Sequence, residues 1–156
     1  AMLGIDALGY EPFQKELGAT LTSAMAKRPE SAVDVYAVDA PAIAARSGKN
    51  GVRMGRASSR LRNSTNAPPT WVGPLLSELE AKNAPAGTAR AVLLPNDRVG
   101  YVSAITVGPL CVTCHGASVD PALEARLAQR YPSDRAMGYA IGDFRGVFWA
   151  ELPPEL

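Results

Sequence analysis

The sequence predicts an α+β domain in which a pair of helices precedes an antiparallel sheet. Apolar residues recur at helical spacing over the first third of the chain, two strand-like runs flank a turn at Pro95-Asn96-Asp97-Arg98, and a last strand ends at Pro153-Pro154. Helices first, then a hairpin, a helix and a final strand is the order of segregated α and β elements, not of alternating βαβ units.

Each element has a local reason. Phe13, Leu17, Leu21 and Met25 fall at i, i+4 behind Glu11-Pro12, which predicts an amphipathic helix with proline in its first turn. Pro29 ends that helix and opens another, running to about Ser47, on which Val33, Tyr36, Ala40 and Ile43 share a face; Asp39-Ala40-Pro41 marks a kink or restart. Gly48 and Gly51 bracket the exit. A segment carrying Arg53, Arg56, Arg60 and Arg62 follows, then a loop through Asn66-Ala67-Pro68-Pro69. Thr70 is placed to cap a helix bearing Trp71, Leu75, Leu76 and Leu79. The runs Ala89–Leu94 and Val99–Val107 form the hairpin, and Asp120-Pro121 starts a helix with Leu123 and Leu127 on its buried face. An ordered loop from Tyr131 to Gly146 leads into the strand Val147–Leu152.

At 156 residues the expectation is one domain, 1–156, with residues 1–10 an N-terminal extension whose Ala1-Met2 reads as a vector-derived remnant. Sixteen basic against fifteen acidic residues point to no nucleic-acid or membrane-surface partner. No run approaches the roughly 20 apolar residues of a membrane helix. Aromatic residues are only 6% of the chain, so a large flat apolar cofactor would supply core material that the side chains do not.

The chemistry concentrates in Cys111-Val112-Thr113-Cys114-His115, which holds both cysteines and the single histidine of the sequence. C-x-x-C-H is the attachment signature of a c-type haem: two thiols add to the two vinyl groups and the adjoining histidine reaches the iron. Zinc normally takes four Cys or His ligands, and only three such side chains exist here. A thioredoxin-like pair belongs at a helix start after an early strand, whereas this motif sits late, after Gly108-Pro109. A plain disulfide is the other alternative. The motif therefore predicts one haem c per chain, with Cys111, Cys114 and His115 as its attachments. Arg56 and Arg62 are candidates to bind haem propionates, since a guanidinium presents a rigid fork of donors to a carboxylate; a solvated surface strip is the alternative. Covalent attachment by this motif takes place, in bacteria, outside the cytoplasmic membrane. The expectation is a periplasmic protein whose leader or anchor has been removed. An all-helical cytochrome fold is disfavoured because the motif lies far from the N-terminus and only Met137 among the methionines follows it.

Three stretches carry a wider resemblance: Val52–Ser58 running on through Leu61-Arg62-Asn63 to Asn66-Ala67-Pro68; Gly108–Gly116; and Tyr131-Pro132-Ser133-Asp134 through Gly138-Tyr139, Gly142-Asp143 and Arg145-Gly146. In order and approximate spacing they resemble a family of single-haem c proteins with a PAS-like fold, which occur as stand-alone periplasmic cytochromes, including a cyanobacterial one, and as sensor domains of chemoreceptors and kinases. The resemblance spans about Phe13 to Leu152. It implies an antiparallel sheet flanked by long N-terminal helices with the haem between them, His115 as proximal ligand, and a homodimer through the N-terminal helices.

The opposite side of the iron is where the sequence departs from the family. Cyanobacterial-type members place a cysteine just ahead of an Ala-Pro-x-Ile-Ala sequence; here Ala40-Pro41-Ala42-Ile43-Ala44 is present and the matching position is Tyr36. Four readings follow. Tyr36 binds as a phenolate, Met25 binds as methionine does in some sensor-type members, Met54 binds although its place suits core packing, or the position is open with Tyr36 lining the pocket. Methionine raises the potential, a phenolate lowers it, and an open position admits a small ligand. The functional expectation is a sensor of redox state or of a diatomic gas such as NO or CO, with monohaem electron transfer to a redox partner protein as the alternative. No catalytic residue is predicted and the chain is not read as an enzyme: with His115 the only histidine, there is no distal one to move protons.

Overall fold

The computed structural model describes residues 10–48, 50–63 and 67–154. Ala1-Met2 with the rest of the predicted extension up to residue 9, and Asn66, lie outside the described residues, as do the side chains of Pro12 and Tyr36.

The chain opens with a helical hairpin, α1 (Tyr10–Lys27) and α2 (Pro29–Ser47), separated by Arg28 in extended backbone with Pro29 in the first turn of α2. No restart occurs at Asp39-Ala40-Pro41; α2 runs through Pro41 to Ser47. An interior proline costs a helix about 3 kcal/mol. The residues around it offset that cost: Ile43 is 1% exposed, and Ala40 and Ala44 pack against the same apolar cluster.

The arginine-bearing segment is a strand, β1 (Arg53–Ala57), which the sequence left as an unassigned segment. Helix α3 (Val72–Ala81) starts later than predicted: Trp71, not Thr70, is the cap residue, and it makes no side-chain cap bond. Packing outweighs capping here, because Trp71 Nε1 donates to Glu151 Oε1 at 2.7 Å and its ring meets Trp149 edge-on at 6.3 Å. The hairpin follows as predicted, with β2 (Ala89–Leu93) and β3 (Val99–Thr106) joined by a 3₁₀ turn at Pro95–Asp97 in which Asn96 and Asp97 have positive φ. Helical turn α4 (Val112–His115) and helix α5 (Pro121–Arg130) precede the last strand, β4 (Phe144–Leu152). Asp120 caps α5 as expected, its Oδ1 accepting from Ala122 N at 3.0 Å. Strand β4 begins three residues earlier than predicted, because a register shift opposite Ile105/Thr106 leaves Arg145 unpaired as a bulge and hides the alternation.

The sheet is antiparallel throughout, in the order β1-β4-β3-β2. Its two faces are covered differently. On one, α3 lays Val72, Leu76 and Leu79 on Ala57, Val102, Ala104 and Val147. On the other, the α1/α2 hairpin packs Phe13, Leu17 and Ile43 on Met54, Phe148 and Ala150. Gly146, at φ +155, lets β4 close on β1, where a Cβ would meet Ala57 O at 2.2 Å. Two smaller clusters sit where β3 leaves the sheet: Val33 with Leu123, Leu127 and Cys114, and Val107 with Ala136, Tyr139 and Cys111. These hold the Cys-x-x-Cys-His turn.

Candidate functional site

Strand β3 delivers the chain through Val107 and Gly108 into the turn α4, where Cys111 N donates to Gly108 O at 3.1 Å and His115 N to Cys111 O at 2.9 Å. Residues three and four apart share a helix face, so this one turn places both thiols and the imidazole on neighbouring positions. Both thiols are free, and no disulfide joins them. Gly116 ends the turn because nothing larger fits: a Cβ there would lie 2.5 Å from Val112 O.

His115 is fixed by a directional bond. Its Nδ1 lies 2.8 Å from Ala136 O. A carbonyl oxygen only accepts, so Nδ1 carries the proton and the Nε2 lone pair is left for a metal. Burial first, then the positive field of Arg62, Arg145 and Arg56, pushes the His115 pKa down to about 3, so the ring is neutral at physiological pH. Burial likewise pushes the Cys114 thiol up, with Arg62 acting against it.

A ring of polar contacts surrounds this histidine. Arg62 donates from Nε to Asp134 Oδ2 at 2.9 Å and from Nη2 to Cys114 O, to Ala136 O at 3.2 Å and to Met137 Sδ at 3.3 Å. The side chains of the ion pair are 13% and 11% exposed. Arg62, expected as a propionate ligand, directs its Nε and Nη2 at the protein, two of these bonds going to the carbonyls of Cys114 and Ala136. Arg56 sits differently, exposed on β1 yet near enough to act on His115, and it keeps its candidacy as a propionate ligand. Of the other two arginines, Arg53 pairs with Glu151 at 3.1 Å, and Arg60 lies 4.1 Å above the Tyr139 ring.

Tyr139 and Arg145 stand beside the histidine, and the sequence assigned them no role. Tyr139 is 5% exposed, meets the His115 ring edge-on at 6.4 Å, and is flanked by Arg60 and by Arg145 at 5.2 Å. The bulge in β4 turns Arg145 toward Ser58 Oγ at 2.7 Å and Arg60 O at 3.3 Å. Both residues fall within the third resembling stretch, which was the available signal.

The candidates for the opposite ligand are spread over three elements. Tyr36 stands on α2, one turn after Val33, whose side chain shares a cluster with Cys114; its own side chain lies outside the described residues. Helix α2 is held there by an ion pair between Asp34 and Arg126 of α5. Met25 is half-buried near the end of α1. Met54 is 7% exposed among Phe13, Leu17, Ile43 and Phe148, a core position. A cavity of about 300 Å³ opens between the α1/α2 hairpin and β1, lined by Leu17, Ala40, Met54, Trp149 and others, with Arg56 the charged residue among the described lining residues. Among the described residues no helix is long and apolar enough to cross a membrane, and no three His, Cys, Asp or Glu side chains gather to hold a metal ion by themselves. The donor set fits a porphyrin iron better: two free thiols, one neutral imidazole with its lone pair available, and an arginine-rich surround.

An antiparallel sheet flanked by N-terminal helices, with the Cys-x-x-Cys-His turn at the end of its hairpin, defines a PAS-like α+β domain. A family model described as Tll0287-like matches residues 13–153, and the chain belongs to that family of haem proteins. A solved structure with a similar fold is the cyanobacterial haem protein Tll0287, 27% identical, with a TM-score of 0.54 over 73% of each chain. A search of curated proteins finds no relative that matches.

Proposed function

We propose that this protein is an extracytoplasmic c-type haem protein that carries one haem and responds to redox state or to a diatomic ligand. The observation that carries the reading is the arrangement on α4: two unpaired thiols and a histidine whose Nδ1 is tied to Ala136 O, leaving Nε2 for iron. In this reading Cys111 and Cys114 form the thioether links and His115 is the proximal ligand. A bound haem supplies one-electron exchange and, where the second axial position is open, a place for NO or CO. The surrounding residues do the rest. Tyr139 and the Arg62 network hold the imidazole plane, and Arg56 is the propionate ligand. The α1/α2 hairpin closes the opposite side with Tyr36 and Met25 as its candidate ligands.

Electron transfer is the second reading, favoured by one feature. Leu110 and Ile141 are 41% and 62% exposed; Leu110 directly precedes Cys111, and Ile141 directly precedes Gly142, whose N donates to Val107 O at 2.8 Å. Two exposed apolar side chains beside the attachment turn are what a docking partner near a haem edge requires.

Absorption spectra of the reduced protein with and without CO or NO decide between the two. A Soret band that shifts on adding the gas supports the sensor reading. A spectrum already showing two strong ligands and unmoved by gas leaves electron transfer. Covalent haem colour in a denaturing gel is the prior requirement, and a colourless band defeats both.

A further inference from the structure

Resting on the haem c reading, we propose that the part-buried Arg62–Asp134 ion pair is a positioning device for the proximal histidine, tuning the reduction potential through the Ala136 carbonyl. That single oxygen accepts from His115 Nδ1 at 2.8 Å and from Arg62 Nη2 at 3.2 Å. A carbonyl oxygen has two lone pairs, so both bonds can be satisfied together. They are not independent. A cation donating to the carbonyl draws density from it, weakens its hold on the Nδ1 proton, and keeps the imidazole a neutral, weaker donor toward a metal.

Asp134 completes the device from both ends. Its Oδ2 takes Arg62 Nε at 2.9 Å, while its Oδ1 accepts from Ala136 N at 2.8 Å, so one carboxylate orients both the guanidinium and the residue whose carbonyl is shared. Ala136 is 0% exposed and the side chains of the ion pair only 13% and 11%, which limits the solvent that screens the interaction. The same guanidinium grips Cys114 O, one residue before His115. Arg62 thus holds the attachment turn and sets the histidine's acceptor at once. A surface ion pair does neither.

The test uses the haem-loaded protein and three variants: Arg62→Gln, Arg62→Lys and Asp134→Asn. The midpoint potential is read by spectroelectrochemistry, and the His115 ring signals by proton NMR of the ferric protein. Arg62→Gln lowers the potential, because Ala136 O then accepts more strongly from His115. Asp134→Asn keeps an acceptor for Ala136 N but leaves Arg62 unbalanced, and raises the potential. Arg62→Lys keeps the charge and loses the fork, so it moves the His115 signals. The proposal is overturned when the Gln and Asn variants shift together or not at all, or when Arg62→Lys matches the wild type in both readouts. If Arg62→Gln fails to take up haem, the Lys and Asn variants carry the test. Wild-type protein without covalent haem overturns the haem reading and the proposal with it, whereas haem-loaded wild type with unmoved variants overturns the proposal alone.

Discussion

The two sides of the attachment turn are held by different kinds of force. On the proximal side His115, Arg62, Asp134 and Ala136 are joined by hydrogen bonds with fixed directions, and Tyr139 lies between two guanidinium groups. On the α1/α2 side the sheet meets its helices through an apolar cluster of Phe13, Leu17, Ile43, Met54 and Phe148. A buried polar atom lies on that side too: among the described residues Tyr101 Oη makes no hydrogen bond, and burial raises the pKa of the phenol while the nearby Ser103 hydroxyl acts against it. Directional bonds define one orientation of a ligand, whereas apolar packing excludes water without choosing a geometry. In the proposed haem c reading, that contrast suits a fixed ligand on one side and an exchangeable one on the other.

The largest effect comes from breaking the apolar side. Phe148 is 1% exposed and meets Phe13 at 5.8 Å between ring centroids. Phe148→Ala should cost about 3–5 kcal/mol in a denaturant titration, the range for truncating a buried phenylalanine. A loss under 1 kcal/mol would show that the helix hairpin is not held by this contact.

The proximal side should instead be broken by acid. The His115 pKa is about 3 in the folded chain against an ordinary 6.5, so between those values the unfolded chain binds a proton that the folded one refuses. The sign follows: this contribution is fully present above pH 6.5 and is lost as the pH falls toward 3, a change on the order of a few kcal/mol. Urea titrations of a Cys111→Ser/Cys114→Ser protein, in which no thioether forms, should show it from pH 7 down to 4. Adding His115→Gln should flatten that part of the slope. An equal slope with and without the histidine would mean that the ring is not buried neutral.

What could be read from the sequence divides along the same line. The hairpin, the Asp120 cap and the attachment motif are local patterns, each complete within a few residues. Strand β1 was not legible, because Gly55 and two arginines interrupt its alternation and its pairing is with β4, far along the chain. The start of β4 was hidden by the bulge at Arg145. Arg62 shows the limit most clearly: its partners lie 52 to 75 residues away, so residue type said that it could bind a carboxylate but not that Asp134 would be that carboxylate. The continuation of α2 through Pro41 is another tertiary effect, set by what Ile43 packs on.

A smaller effect of opposite sign sharpens the contrast on the apolar side. Tyr101→Phe removes a buried hydroxyl that has no partner, and an unsatisfied buried group costs about 1–3 kcal/mol. Because Tyr101 is only partly buried, the expected gain is at the low end, about 1 kcal/mol by thermal or urea unfolding. A loss would reveal a partner for this hydroxyl in solution.

The smallest change in stability belongs to the most informative residue. Tyr36 stands on α2 one turn beyond Val33, which packs in the cluster that contains Cys114. Tyr36→Phe removes one oxygen, so the expected change in unfolding free energy is within about 0.5 kcal/mol. The ferric spectrum is the sensitive readout. If the opposite side is exchangeable with Tyr36 near the iron, the Soret and visible bands shift on this substitution and Met25→Leu leaves them in place. If Met25→Leu moves the bands and Tyr36→Phe does not, the ligand is the thioether of α1, the potential is correspondingly high, and electron transfer becomes the function. The two substitutions differ by few atoms, yet they separate a binding protein from a carrier, because they test which of α1 and α2 supplies the ligand.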